Sequence, residues 1–356
     1  MWSNITEIDK NLKVETSIER EGLVFKKATD APFKIYGIYH DGEKFRRLPA
    51  DIAKATNKGV DYLASNTAGG RLRFITDSPY IAIKVILPHH TKFPHMPLSG
   101  IAGFDMYTYD DGCYNVTKSF IPPHSFVDNY EGVHDFDGEQ VERLITLNFP
   151  LYNDVYELYI GIKDGSVLKE APEYDITKPM VFYGSSITQG GCASRPGNAY
   201  TSIVARRYNA DHVNLGFSGS GKAEQVIADY IAALDMSVFV MDYDHNADNN
   251  EHYAASHEPF FKTIRAKNPD LPIIIMTRPK HKSLLKPFEY GRLQTATKTY
   301  ENAIAAGDKN VYFIPGYELM DAAGQDGCVD QTHPNDYGFF SMAKRVCEEL
   351  DKILLK

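Results

Sequence analysis

The chain of 356 residues contains 43% hydrophobic and 24% charged residues, which is typical of a globular protein with a core large enough for two domains. Its formal net charge of -9 argues against nucleic acid or an anionic membrane as the main partner. No apolar run approaches the roughly 18 residues that a membrane-spanning helix needs.

The N-terminal segment MWSNITEIDKNLK lacks a basic start followed by an apolar stretch, so no signal peptide is predicted. The four cysteines are scattered and form no C-x-x-C pair, which favours reduced thiols over a disulfide framework. The sequence therefore favours a cytoplasmic location, or a secreted one if a signal has been trimmed. It leaves the oligomeric state open.

Residues 1–172 are predicted to form a β-sandwich or jelly-roll domain. The run from Arg71 to Leu87 contains two strand-like segments around an Asp-Ser-Pro turn, and residues 100–120 contain two more around Asp-Asp-Gly. Further short strand-like runs, ERLITLNFPLY and DVYELYIGI, continue the series. Short strands with turn residues at this spacing are typical of sandwiches and jelly rolls.

Residues 173–356 are predicted to form an α/β domain with a parallel sheet, after a polar linker, DGSVLKEAPEYDITKP. Apolar strand-like runs there alternate with segments of helical periodicity. The predicted helices lie near residues 198–208, 223–234, 251–267, 290–306 and 336–355. Since ligands bind at the carboxyl ends of parallel strands, the loops at those ends are the places to look for chemistry.

The stretch GFSGSGK has the frame of a phosphate-binding loop, with glycines at Gly216 and Gly221 before Lys222. In such a loop the next residue is Ser or Thr, whose hydroxyl binds magnesium, whereas here it is Ala223. Nucleotide binding therefore remains a minor alternative, and a tight turn before a helix is favoured over it.

A serine and a histidine occupy positions suited to nucleophilic catalysis. Ser186 follows the first predicted strand of the α/β domain, and His333 precedes its last helix. Asp330 stands three residues before His333, a spacing that lets the carboxylate reach the imidazole Nδ1 and leaves Nε2 free. These are the roles that a Ser-His-Asp triad requires.

Acyl transfer also needs donors for the oxyanion that develops on the carbonyl oxygen. The Gly219 N–H in GFSGSGK is predicted to face the pocket, because the glycines let the backbone bend. The side-chain amide of Asn246, after the next strand, and the Ser186 N–H are the other predicted donors.

The second half resembles the SGNH (GDSL-type) hydrolases over residues 178–356. The motifs GSSIT, NLGFSGSG, DYDHN and DQTHP match the Ser, Gly, Asn and His blocks of that family in order. The usual Asp of the first block is Ser185, and the usual G-x-N-D of the third block is DHNA, which affects the placement of Asn246. The resemblance implies a flavodoxin-like three-layer sandwich and no cofactor or metal.

The first half resembles the β-domain that precedes some bacterial SGNH esterases, whose G-x-D-L-Y signature is matched by GFDMY from Gly103 to Tyr107. Asp105 in this motif is predicted to fix a turn. The resemblance implies an esterase that acts on carbohydrates, often a deacetylase.

Three further residues are candidate substrate contacts: Arg195 after the nucleophile, His245 beside Asn246, and Arg278 after the fourth strand. For each arginine, a structural or surface role is the favoured alternative.

A metal site at His89, His90 and His95 is not favoured, because they lie in a Pro-rich loop without nearby cysteines or paired acids. Cys192 follows the nucleophile closely but has no assigned base, so it is interpreted as a packing residue.

The sequence thus predicts a serine esterase that hydrolyses short acyl esters, with acetyl on a carbohydrate as the favoured substrate. The partner is then a small-molecule or oligosaccharide ester. The alternatives are an acyltransferase with the same triad, a catalytically silent carbohydrate-binding protein, and the nucleotide-binding protein discussed above.

Overall fold

The structure is a computed structural model that describes residues 16–89, 91–110 and 112–354. His90 and the N-terminal segment on which the signal-peptide prediction depends lie outside the described residues. Within the described part, no helix is both long and apolar enough to cross a bilayer.

The described residues of the first half form short strands and three short helices. The strands are β1 (Leu23–Lys27), β2 (Lys34–Tyr36), β3 (Tyr39–His40), β4 (Phe45–Arg46), β5 (Arg71–Thr76), β6 (Tyr80–Ile86), β7 (Phe104–Asp110), β8 (Cys113–Phe120), β9 (Asn129–Asp135), β10 (Arg143–Asn148), β11 (Glu157–Lys163) and β12 (Leu168–Glu170). The helices are α1 (Ala50–Thr56), α2 (Lys58–Leu63) and α3 (Leu98–Ile101).

Ten of these strands form two antiparallel sheets, in the orders β1-β11-β6-β9 and β12-β5-β10-β7-β8, with β2 on β5, and β3 pairs with β4 in a separate two-stranded sheet. β6 illustrates why the sequence forms them. Ile81, Ile83 and Val85 are buried while Lys84 between them is partly exposed, the alternation expected of a strand with one face on the core. The predicted Asp-Ser-Pro turn separates β5 from β6.

The second half contains a five-stranded parallel sheet in the order β14-β13-β15-β16-β17. Its strands are β13 (Ile176–Gly184), β14 (Ala210–Gly216), β15 (Val238–Asp242), β16 (Ile273–Met276) and β17 (Val311–Ile314). Its helices are α4 (Ser186–Gln189), α5 (Tyr200–Arg207), α6 (Gln225–Ala232), α7 (Asn250–Lys267), α8 (Pro287–Ala305) and α9 (Asp336–Leu354). The prediction of an α/β domain preceded by a β-rich domain is confirmed.

Helices cover both faces of this sheet. Successive residues of a strand point to opposite sides of the sheet, so each strand places apolar side chains under both helix layers. Phe182 of β13 packs in a core that includes Val204 of α5 and Val346 of α9. Its neighbour Val181 belongs to a separate core formed with α6, α7 and α8. Burial of a side chain of this size contributes about 1.5–3 kcal/mol.

The two halves share a core. The cluster that contains Phe182 also contains Phe74 of β5 and Ile83 of β6. The antiparallel sheets therefore pack directly against the α/β layer, and loops of the first half can reach the active edge of the parallel sheet.

Candidate active site

Ser186 lies at the first position of α4, directly after the end of β13. A Cβ on Gly184 would lie 2.1 Å from the Thr188 Oγ1 and 2.4 Å from the Asp242 carbonyl oxygen, so only glycine fits this tight turn. Ser185, which replaces the usual Asp, caps α4 by accepting a hydrogen bond from the Ile187 N–H at 3.2 Å. A serine can serve as well as an aspartate in that position.

A buried carboxyl group supports the nucleophile turn from below. Asp242 accepts hydrogen bonds from the hydroxyls of Thr188 at 2.9 Å and Tyr200 at 3.1 Å. Complete burial raises the pKa of Asp242 to about 7, because desolvation disfavours the charged form. The turn is thus anchored to the strand that lies next to β13 in the sheet.

The structure brings Ser186, His333 and Asp330 together. The Ser186 Oγ lies 3.0 Å from the His333 Nε2, and the His333 Nδ1 lies 2.7 Å from the Asp330 carboxylate. Since a carboxylate only accepts hydrogen bonds, the Nδ1 carries the hydrogen and the Nε2 lone pair faces the serine hydroxyl. That is the arrangement a general base requires.

Asp330 is held in its charged form. Burial opposes its ionisation, but hydrogen bonds from the His333 N–H and imidazole and from the Thr332 N–H outweigh it and lower the pKa of Asp330 to about 2. The carboxylate is therefore ionised throughout the neutral range and fixes both the tautomer and the orientation of the imidazole.

The predicted oxyanion donors meet, but two of them bind each other. The Gly219 N–H donates to the Asn246 Oδ1 at 3.0 Å rather than facing the pocket. The Asn246 amide donates to the carbonyl oxygens of Phe217 at 2.8 Å and Gly221 at 2.9 Å. Among the described residues, the Ser186 N–H donates to no protein acceptor.

The reason is that the backbone N–H groups of the glycine-rich loop already have hydrogen-bond acceptors. Each N–H from residue 217 to residue 223 has an acceptor within the protein: the oxygens of Gly184, Gln189, Asn246, Phe217, Glu224 and Tyr183. Lys222 forms an ion pair with Asp248 at 2.5 Å. A phosphate loop needs free N–H groups and a free lysine, so these contacts do not support the nucleotide-binding alternative.

The Asn246 turn rests on a buried ionic network that includes Arg278. The Arg278 guanidinium pairs with Asp244 and with Glu289, both at 2.9 Å. Arg278 is therefore engaged in holding the turn, and the prediction that it contacts substrate is not supported by its contacts. Between Asp244 and Asn246, the His245 Nε2 is buried without a partner among the described residues; burial and Arg278 lower the pKa of His245 to about 3.

Arg195 bridges the two halves of the molecule instead of lining the site. It pairs with Asp105 of β7 at 2.8 Å and bonds the Tyr107 hydroxyl. Asp105 also accepts from the Gly197 N–H at 2.9 Å and from the Asn148 amide at 2.7 Å. Asp105 therefore lies within β7 and holds the turn at Gly197 that follows the nucleophile, and the contacts of Arg195 do not support the predicted substrate contact.

A pocket that no motif predicted is lined by Tyr152, which contacts the backbone of the catalytic serine. It has a volume of about 220 Å³ and is lined in part by Tyr62, Phe93, Tyr152 and Ser218. The Tyr152 hydroxyl donates to the Ser186 carbonyl oxygen at 3.2 Å, and the rings of Phe93 and Tyr152 contact edge to face. A second cleft of about 430 Å³ shares Tyr62 and Tyr152 with it.

Most of this lining comes from the first half of the chain, so it exists only because the two halves share a core. Aromatic residues in loops carry no motif that distinguishes a pocket from a core, which explains why sequence reasoning missed them.

The fold and the order of its four blocks define an SGNH-type hydrolase. The sequence model of the GDSL-like lipase/acylhydrolase family matches residues 177–351, and that of the N-terminus of SGNH-hydrolase-type esterases, called GxDLY, matches residues 23–168. Residues 177–351 thus match the GDSL-like lipase/acylhydrolase family, and residues 23–168 match the GxDLY N-terminal domain of SGNH esterases. No curated protein matches the chain.

Solved structures show the same two-part architecture. A protein described as a GDSL-like lipase from Bacteroides ovatus shares 29% identity, with 93% of this chain and 98% of that chain covered and a TM-score of 0.85. The salicylyl-acyltransferase SsfX3 of a tetracycline biosynthetic pathway shares 21% identity, with 94% of this chain and 98% of that chain covered and a TM-score of 0.76. A family two carbohydrate esterase from Clostridium thermocellum shares 16% sequence identity, with 81% of this chain and 94% of that chain covered and a TM-score of 0.57. The two family matches support an esterase, and the solved structures show its fold.

Proposed function

We propose that the protein is a serine esterase that removes short acyl groups, acetyl foremost, from a carbohydrate ester. One observation carries the proposal: the continuous hydrogen-bond chain from the Ser186 Oγ through the His333 imidazole to the Asp330 carboxylate, at 3.0 and 2.7 Å. No other arrangement of these groups is needed for base-assisted attack on an ester.

The reaction would proceed in two stages. The His333 Nε2 takes the hydroxyl proton as the Ser186 Oγ attacks the ester carbonyl, and the same proton then passes to the departing alcohol. Water, deprotonated by His333 in turn, attacks the acyl-enzyme and releases the acid and free Ser186. The Ser186 N–H would donate to the oxyanion. The Gly219 N–H would join it once its bond to the Asn246 Oδ1 opens, and the Asn246 amide once it releases the carbonyl of Phe217 or Gly221.

The carbohydrate part of the proposal is supported by the aromatic pocket that Tyr152 lines. Its aromatic residues offer flat apolar faces, and Asn66 and Ser218 add polar groups, a combination that suits a sugar ring and its hydroxyls. The Clostridium thermocellum carbohydrate esterase of this fold was solved in complex with cellohexaose.

The first test is hydrolysis of p-nitrophenyl acetate and butyrate by the wild type, Ser186→Ala and His333→Ala, followed by acetate release from acetylated sugars. We expect both substitutions to reduce kcat by about a million-fold while circular dichroism stays unchanged. Activity that survives Ser186→Ala would contradict the assignment.

Acyl transfer to an alcohol other than water is the second candidate, supported by the salicylyl-acyltransferase of the same fold and by the aromatic pocket. Adding alcohol acceptors to the p-nitrophenyl acetate assay distinguishes the two. A hydrolase releases as much acetate per p-nitrophenol with the added alcohol as without it. A transferase instead forms the new ester, and the amount of acetate falls.

A further inference from the structure

Three groups that bind soft metal ions meet at the catalytic histidine. One ligand atom each from His95, Cys192 and His333 lies within 4.8 Å of the other two. His95 comes from the loop between β6 and α3, and its ring centroid lies 5.7 Å from that of His333. Cys192 is buried and holds the backbone in a left-handed conformation, with φ at 76°, which only a few per cent of non-glycine residues adopt.

We propose that His95, Cys192 and His333 form an inhibitory site for Zn²⁺. Imidazole nitrogen and thiolate sulfur are the ligands that zinc prefers, in a tetrahedron with bonds of about 2.0–2.3 Å. Ligand atoms in such a tetrahedron lie roughly 3.5 Å apart, so the cluster has to contract by about 1 Å. The exposed side chain of His95 can supply that movement.

The hydrogen bonds of His333 explain how the metal would act. Asp330 already holds the Nδ1, so the Nε2 is the nitrogen that can bind metal. A carboxylate behind a metal-bound imidazole is the usual support for zinc ligands in proteins. The lone pair that would bind zinc is the one that has to accept the Ser186 proton, so metal binding and catalysis exclude each other.

The other two ligands complete the site. Burial raises the pKa of the Cys192 thiol to about 12, so the free protein holds a neutral thiol that releases its proton as the metal binds. The Ser186 Oγ, at 3.0 Å from the His333 Nε2, is placed to serve as the fourth ligand. His95 and Cys192 take no part in the hydrolytic steps described above, whereas His333 and Ser186 are shared between catalysis and the metal site.

The binding part of the proposal stands alone, whereas the inhibition rests on the proposed esterase function. Binding is tested with Co²⁺, whose bond to a thiolate gives a charge-transfer absorption band. We expect the band in the wild type and in Cys328→Ala, and its loss in Cys192→Ala. Absence of the band from the wild type would overturn the site, whether or not the protein hydrolyses any ester.

Inhibition is tested with ZnCl₂ against p-nitrophenyl acetate hydrolysis, with EDTA to reverse it. Each variant is compared with its own rate without zinc. We expect His95→Ala and Cys192→Ala to raise the half-inhibiting zinc concentration at least tenfold, and His89→Ala, on the same loop but outside the cluster, to leave it unchanged. Equal zinc sensitivity in all of these variants, or a cobalt band without inhibition, would overturn the inhibitory role.

Discussion

The two sides of the site differ in how far their groups are already arranged for chemistry. On the side of the nucleophile, Ser186, His333 and Asp330 hold one another in the order that proton transfer requires. On the side of the glycine-rich loop, the Gly219 N–H and the Asn246 side chain satisfy each other and the surrounding carbonyls.

This difference follows from what each group has to do in the absence of substrate. A serine hydroxyl and a histidine can rest in the bonds that they use in catalysis. An oxyanion donor has no ligand at rest, and a buried N–H without an acceptor costs about 1–3 kcal/mol. A bond between Gly219 and Asn246 is worth only about 1 kcal/mol net, less than the roughly 3–4 kcal/mol that an oxyanion donor contributes, so substrate can open it at a net gain.

After loss of Ser186 or His333, the largest effect is expected from Asp330→Asn. An amide in place of the carboxylate favours the wrong imidazole tautomer, so kcat should fall by about 10⁴-fold. Rates with p-nitrophenyl acetate measure it, and Asp326→Asn, which alters an exposed carboxylate four residues earlier in the chain, should leave them unchanged. A reduction of kcat by less than tenfold would show that Ser186 and His333 do not depend on the Asp330 carboxylate.

On the other side of the comparison, Asn246→Ala should reduce kcat by about 10²–10³-fold. It should also lower the free energy of unfolding by about 1–3 kcal/mol, because the carbonyls of Phe217 and Gly221 lose their donor. The matched control is Asn249→Ala, which removes the N-cap bond of α7 to the His252 N–H and costs about 1 kcal/mol of stability. If both variants keep full kcat, Asn246 is purely structural.

The support beneath the nucleophile can be tested through its pH dependence. Burial raises the pKa of Asp242 from 3.8 to about 7, so its contribution to stability is complete below pH 3.8 and is lost as the pH rises through about 7. Urea unfolding of Asp242→Asn across this interval should therefore show a flatter profile than the wild type, by a few kcal/mol at most. Profiles of equal slope would contradict a neutral resting carboxyl.

The smallest effect is expected for Lys222→Ala. The variant removes a largely exposed ion pair with Asp248, which is worth at most about 1 kcal/mol, and kcat should stay unchanged. Calorimetric titration with ATP and magnesium completes the test: binding by the wild type that the variant loses would revive the phosphate-loop alternative.

Sequence reasoning succeeded where a single local pattern carries the structure. The apolar runs before GSSIT and DYDHN became β13 and β15, and the spacing of Asp330 and His333 placed the carboxylate on the imidazole Nδ1. It failed where a residue's role is set by a distant partner. Arg195 and Arg278 are polar groups beside the site in sequence, but Asp105 and Asp244 bind them first.

The same limit applies to the Gly219 loop. Glycines permit several loop conformations, and only the position of Asn246 in the folded chain determines which way the N–H points. The aromatic pocket at Tyr152 depends likewise on the contact between the two halves, which no local pattern encodes.

The Asp105 contacts bear on how such proteins can be recombined. The two family matches suggest interchangeable modules, with a junction in the polar segment between β12 and β13. However, Asp105 of one module holds Arg195 and Gly197 of the other, a few residues beyond the nucleophile. A chimera of two relatives would therefore need β7, which carries Asp105, and the loop that carries Arg195 and Gly197 from the same parent. In this architecture the two modules have to be exchanged together if catalysis is to be kept.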